Sequence, residues 1–323
     1  MKNELTWYDV FIENLNEKFS KKSDLVEQMM KLLCIEREAI YRRLRKEVLF
    51  PAHEVVKIAS EWKISLDEIV GINSGLVTFH LQPINYLEPS KKEVLNLQKK
   101  VKGLEYLVAS ANAEYMEVGN KIPRPLSTGF LTLYRLKIFN WAYHYNTKAD
   151  ESPKPFSKIV IPDKLTQEFE KYSITSKKIA ITNFILDLSV FDSIVRGVKY
   201  YHSILLIDDE EKELIKKELY ALLDYLMEIA TKGYYPETQK KVNIYISQLY
   251  INTNYCYHDS EDIKSCRVHA FGKYDIVSYN LEMFNNFKTW MNLKKRASIQ
   301  ISEVNERSRI EYFMQQRKIV DSM

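Results

Sequence analysis

The sequence predicts a mainly α protein: an N-terminal five-helix domain, then a larger helical C-terminal domain containing a small antiparallel β-ribbon. Three observations predict it. Glycine and proline are scarce, 8 and 9 in 323 residues, which disfavours turn-rich all-β architectures. Apolar residues recur at three- and four-residue spacing through most of the chain, the period of an amphipathic helix. Around residues 241–274 the period changes to the alternation of strands.

The elements follow in order. Residues 5–19 set Trp7, Tyr8, Phe11, Ile12, Leu15 and Phe19 on one helical stripe. Ser23 or Asp24 is the expected cap of a second helix, with Leu25, Val26, Met29, Met30, Leu32 and Leu33 as its apolar positions. Cys34 and Ile35 make a tight connection into a third helix, residues 36–45. At 3.6 residues per turn Ile40 and Leu44 share one face with Arg43 at its flank, while Glu38, Tyr41, Arg42 and Arg45 fall opposite. One face packs and the other is offered outward. Pro51 suits the first position of a fourth helix, and Ser65 with Glu68 has the spacing of a capping box opening a fifth, ended by Gly71.

MMKLLCIEREAIYRRLRKE and the following PAHEVVKIASEWKISLDEIVG resemble the repressor/Cro-like helix-turn-helix family of transcriptional regulators, over about the first quarter of the chain. That family often has glycine in its turn, where Cys34 stands, and again near Lys46. The resemblance implies that helix 36–45 enters the major groove of double-stranded DNA, its N-terminal half at base edges. Arginine can give two parallel hydrogen bonds to guanine O6 and N7. On that implication Arg37, Tyr41 and Arg42 meet bases, and Arg45 and Lys46 hold phosphates. Glu38 either accepts from a cytosine amino group or pairs with Arg42 four residues on. A net charge of +4 identifies no polyanion partner by itself, so the basic surface is a local patch. The alternative is that the same helices bind another protein, as an interaction scaffold or antitoxin-like partner. A basic strip reaching Lys57 or Lys63 favours DNA, whereas neutralisation by Glu47 and Glu54 favours protein.

Residues 73–89, with Gly75, Pro83 and Pro89, read as a linker between domains 1–72 and 90–323, and 76–81 (LVTFHL) alternates as a short strand or extended arm. Helices are predicted at 91–119, 128–145, 163–172, 178–199 and 210–232. Strands follow at 241–257 and 265–274 around a turn at 258–263, then helices at 280–293 and from 302 onward. The ending ISEVNERSRIEYF, with RRLRKEV, resembles bacterial repressor-like regulators that carry a long helical region and a small β-ribbon behind the helix-turn-helix. This second region is expected to form a homodimer. Its aromatic residues, Phe130, Tyr134, Phe139, Trp141, Tyr143, Tyr145, Tyr200, Tyr201, Tyr220 and Tyr225, either line an apolar pocket for a small-molecule effector or form a plain core.

Enzymatic signatures are missing: the chain has no glycine-rich phosphate loop, no G-x-S-x-G elbow and no H-E-x-x-H pair. The expectation is a non-enzyme without a cofactor. Asp208, Asp209, Glu210 and Glu211 precede a helix, where carboxylates suit the positive dipole end. Cys256, His258, Cys266 and His269 are zinc-donor types, but their spacings are not those of a finger and alternation splits Cys266 from His269, so no metal is expected. Three cysteines, no signal-peptide pattern and no apolar run of membrane length predict a cytoplasmic protein with reduced thiols.

Overall fold

The structure, a computed structural model, describes residues 6–19, 21–62, 64–70, 77, 79–81, 89–127, 129–144, 153–270 and 274–323. The chain divides into two compact units, Met1–Thr78 and Phe79–Met323.

The first unit holds α1 (Trp7–Glu17), α2 (Lys22–Leu33), α3 (Arg37–Leu44), α4 (Ala52–Trp62) and α5 (Leu66–Val70). Thr6 and Asp9 open α1 with a reciprocal capping box. The second helix begins earlier than its sequence suggests. Lys21 stands at its cap position without a side-chain bond, which leaves Ser23 and Asp24 in the first turn. Helices this short are marginal alone, and their stability comes from the shared core. Phe11, Leu15, Leu25, Val26, Met29, Ile40 and Ile58 are wholly buried there, each large side chain contributing about 1.5–3 kcal/mol.

The second unit corrects the expected fold class. It is not a helical domain with a small antiparallel ribbon but an α/β structure on an eight-stranded mixed sheet. Its elements are β1 (His80–Leu81), α6 (Pro89–Ala109), β2 (Glu114–Gly119), α7 (Arg124–Ser127), α8 (Leu131–His144), α9 (Asp163–Ser176), β3 (Ile181–Asp187), α10 (Asp192–Ser203) and α11 (Asp209–Lys232). They continue with β4 (Lys241–Ser247), β5 (Tyr255–Asp259), β6 (Lys264–Ala270), β7 (Tyr274–Ser278), α12 (Leu281–Arg296), β8 (Ile299–Gln300) and α13 (Glu306–Asp321). The strand order is β1-β7-β6-β5-β2-β3-β4-β8. Strands β2, β3 and β4 are parallel neighbours joined by helical crossovers, and every other pairing is antiparallel.

Two predicted helices contained the missed strands. Within 91–119 the helix stops at Ala109 and EYMEVG becomes β2; within 178–199 ITNFILD becomes β3 and the helix starts only at Asp192. Both strands are buried on both faces, and such parallel strands read as continuous apolar runs rather than alternation. The single strand expected at 241–257 is two, β4 and β5, which lie on opposite sides of the β2–β3 pair. The turn expected at 258–263 begins only after Asp259, where Ser260 bonds Ile263 across it. Most of 73–89 lies outside the described residues, but His80 and Leu81 pair with Val277 and Ile276 of β7.

The sheet lies between two helical layers. On one face Met116, Val118, Ile185 and Tyr257 pack with Phe284, Phe287 and Met291 of α12. On the other Tyr115, Phe184, Leu186, Val242 and Ile244 meet the larger layer of α6 and α8 to α11 with α13.

Candidate functional sites

Helices α2 and α3 are joined across Cys34 to Glu36. Cys34 takes a left-handed conformation (φ 55°, ψ 42°), its N–H bonding the Met30 carbonyl, so the chain reverses tightly enough to start α3 at once. Lys46, after α3, is also left-handed at φ 65°. The two places where the resembled family favours glycine are thus places where this backbone adopts the conformation glycine favours. Ile40 and Leu44 anchor α3 in the core. Arg43 turns inward, giving two hydrogen bonds to Glu54 of α4 at 2.8 and 3.0 Å and a third to the Ala39 carbonyl at 3.1 Å.

The six residues expected to meet DNA lie on or just after α3, five of them exposed, with Tyr41 half-buried against the core edge. They are not a bare basic strip. Arg45 pairs with Glu38 and Glu47 at 2.8 and 2.7 Å, Arg42 lies 3.6 Å from Glu47, and Lys46 pairs with Asp9. Lys63 lies outside the described residues. Ion pairs this exposed are worth about 0–1 kcal/mol and can exchange for phosphate contacts.

A second site, which the sequence did not predict, lies on the sheet of the second unit. A cavity of about 360 Å³ opens over the antiparallel half of the sheet, beneath α6 to α10. Alternation along four strands builds its floor: Tyr115 and Glu117 of β2, Cys256 and His258 of β5, Arg267 and His269 of β6, and Asp275 of β7. The register sets these side chains abreast, with Tyr115 opposite His258, Glu117 opposite Cys256, Cys256 opposite Arg267 and His269 opposite Asp275. The helices add Lys100, Arg124 and Tyr172, and α8 and α10 supply apolar Leu133, Leu136, Ile194 and Val198 together with Lys137, Asn140 and Ser193.

Buried charge dominates this floor. Glu117 accepts hydrogen bonds from Tyr115 at 2.5 Å and Asn254 at 2.6 Å, yet burial keeps its pKa above the ordinary carboxylate range. Asp275 is buried too, but Lys100 at 2.7 Å, His269 at 3.3 Å and the nearby Arg267 and Arg124 outweigh that burial and hold it well below the usual range. Burial and the neighbouring Arg124 lower Lys100. Burial, then Arg267, drives His258 well below its usual value, so it stays neutral. Burial and the Glu117 carboxyl push the Cys256 thiol up to about 12, which leaves it protonated.

The other sequence candidates fall as follows. Cys256, His258 and His269 line the cavity, whereas Cys266 lies on the opposite face, buried with Met116 and Tyr257. No group of metal-donor side chains suited to an ion occurs among the described residues. Asp208 caps α11, exchanging hydrogen bonds with Glu211 in a capping box. The aromatic residues mostly pack as core: Tyr134 stacks on Phe169 at 3.9 Å, and Phe139 meets Phe156 and Tyr201 edge-on. Tyr201 alone of the ten lines the cavity, and Tyr145 lies outside the described residues. No described helix is long and apolar enough to cross a membrane. No protein-family model, curated protein or solved structure matches this chain.

Proposed function

We propose that this chain is a sequence-specific DNA-binding transcriptional regulator, with α3 as the helix that enters the major groove and the second unit serving for homodimerisation and effector binding. The observation that carries the reading is the α2–α3 pair. A left-handed residue closes a tight turn, two apolar anchors and the Arg43–Glu54 pair fix α3, and its opposite face presents Arg37, Glu38 and Arg42. Arg45 and Lys46 then lie where a phosphate backbone would pass. Such a regulator works in the cytoplasm. Two copies placing their recognition helices one turn of DNA apart would read a pseudo-palindrome.

Retardation of genomic fragments by the intact protein tests this. Arg42→Ala should cost about 1–3 kcal/mol on the selected site and relax its specificity, while Lys46→Ala should weaken all sequences alike and reduce the salt slope by about one. Failure to retard any fragment at low salt refutes the reading. The pairing of Glu38 and Glu47 with Arg42 and Arg45 favours one competing reading, a protein-binding surface. Under it Glu47→Gln would weaken a partner complex, whereas for DNA the same change would strengthen binding.

A further inference from the structure

We infer that the cavity on the sheet of the second unit is a binding site for a small organic anion, a carboxylate or phosphate held by Arg267 and Arg124 with its apolar body against α8 and α10. The inference deepens the effector reading but does not depend on what α3 binds.

Lys100, Arg124 and Arg267 line the cavity beside its sheet floor, with Lys121 and Lys137 also in the lining, and the nearby carboxylates are already engaged. Asp275 is bonded to Lys100 and His269. Glu117 is bonded to Tyr115 and Asn254, and Glu93 lies beside Arg124 at 3.8 Å. Arg267 has neither an ion pair nor a hydrogen bond from its side chain among the described residues, and its Nε is buried without a partner. Nη1 of Arg124 is likewise buried and unbonded. A guanidinium nitrogen buried without an acceptor is costly, and a bidentate anion would offer these two arginines acceptors in the geometry they favour. The mutual repulsion of the cations points the same way, since Arg124 and Arg267 both disfavour the charged form of Lys100. Leu133 and Leu136 of α8 and Ile194 and Val198 of α10, with Tyr201, offer apolar surface to the body of a ligand, beside the polar Lys137, Asn140 and Ser193 of the same helices. A volume of about 360 Å³ is at the lower end for small-molecule sites, which suits a compact molecule rather than a dinucleotide.

Gly197 supplies a way to block the site. It lies in α10 on the cavity wall, and a Cβ there would meet only Tyr201, at 3.9 Å. Gly197→Leu therefore fills the cavity while improving the helix.

Calorimetric titration of the full-length protein with phenyl phosphate and phenylacetate, against the neutral phenol and 2-phenylethanol, tests the inference. At least one anion should bind, the neutral partners should not, and whichever anion binds identifies the head group. Arg267→Met and Gly197→Leu should each weaken that binding at least tenfold, while Arg42→Ala on α3 should leave it unchanged. Should Arg267→Met fail to fold, Gly197→Leu still reads the site. Binding by neither anion, equal binding of the neutral compounds, unaltered affinity in Gly197→Leu, or loss in Arg42→Ala would overturn it. DNA retardation by the same proteins is scored separately, so failure here leaves the α3 reading standing and the reverse holds too.

Discussion

Replacing Arg43 with methionine should loosen the first unit by about 3 kcal/mol, because it strands a charge rather than merely removing a contact. The Arg43 and Glu54 side chains are 16% and 9% exposed, and two hydrogen bonds join them. Breaking a fully buried pair from one side costs about 3–5 kcal/mol, and the residual exposure here places the cost at the lower end. Removing both charges avoids the stranded carboxylate, so Arg43→Met/Glu54→Leu should recover about 2 kcal/mol of that loss. Amide hydrogen exchange at Ile40 and Leu44 reads the change within the first unit, free of the second unit's unfolding. If Arg43→Met costs under about 1 kcal/mol, or the double variant is no more stable than the single, the pair does not hold α3 on α4.

Three more outcomes follow from particular geometries. Cys34→Gly should stabilise the α2–α3 turn by about 1 kcal/mol, since a left-handed residue with a Cβ is strained there; slower exchange in α3 would show it and unchanged exchange would contradict it. Gly119→Ala should cost about 1–3 kcal/mol, because the new Cβ would come within 2.3 Å of the Asn254 side chain and expel it from its bonds to Glu117 and Lys121; urea unfolding of the second unit measures it, and a neutral result refutes the contact. His258 is neutral when folded but binds a proton near pH 6.5 when unfolded, so its share of stability is present above that pH and is lost on acidification, by up to about 1.4 kcal/mol per unit. Glu117 has the opposite sign: its folded pKa is raised, so its share is present below 4.5 and lost as pH rises through the folded value. His258→Asn should therefore flatten the stability profile between pH 6.5 and 5, and an unaltered slope would show that His258 takes a proton in place.

The first unit was largely legible because each helix there is amphipathic and faces one small core. Ile40 and Leu44 against Arg37, Glu38 and Arg42 is a pattern that one turn of helix decides. Strands β2 and β3 were not legible: EYMEVG follows a periodic helix after only four residues without glycine or proline, and ITNFILD carries apolar and polar residues on both faces, so neither shows a clean alternation. With the parallel strands unseen, the cavity could not be found. Lys100 and Asp275 are 175 residues apart in sequence, and only the sheet order brings α6 over β7. A local signal did exist in the ribbon, where Cys256, His258, Arg267, His269 and Asp275 alternate as polar residues on one face of three strands. Read as metal donors, the four Cys and His residues divided between two faces. Taken with Arg267 and Asp275 instead, three of the four join a charged floor.

Among the described residues, the two ends of the sheet are closed by short strands, His80–Leu81 and Ile299–Gln300. A sheet edge is a row of unsatisfied amides and carbonyls that a second chain can continue, and an edge this short offers little purchase. If the chain began at Pro89 instead, the five-residue β7 would become the rim, with Ile276 and Val277 stripped of their ladder partners. Such a shortened protein should stack rim to rim and turn cloudy on concentration. The colloidal behaviour of the second unit thus hangs on the edge strand that holds His80 and Leu81, within a stretch whose composition suggests only a tether.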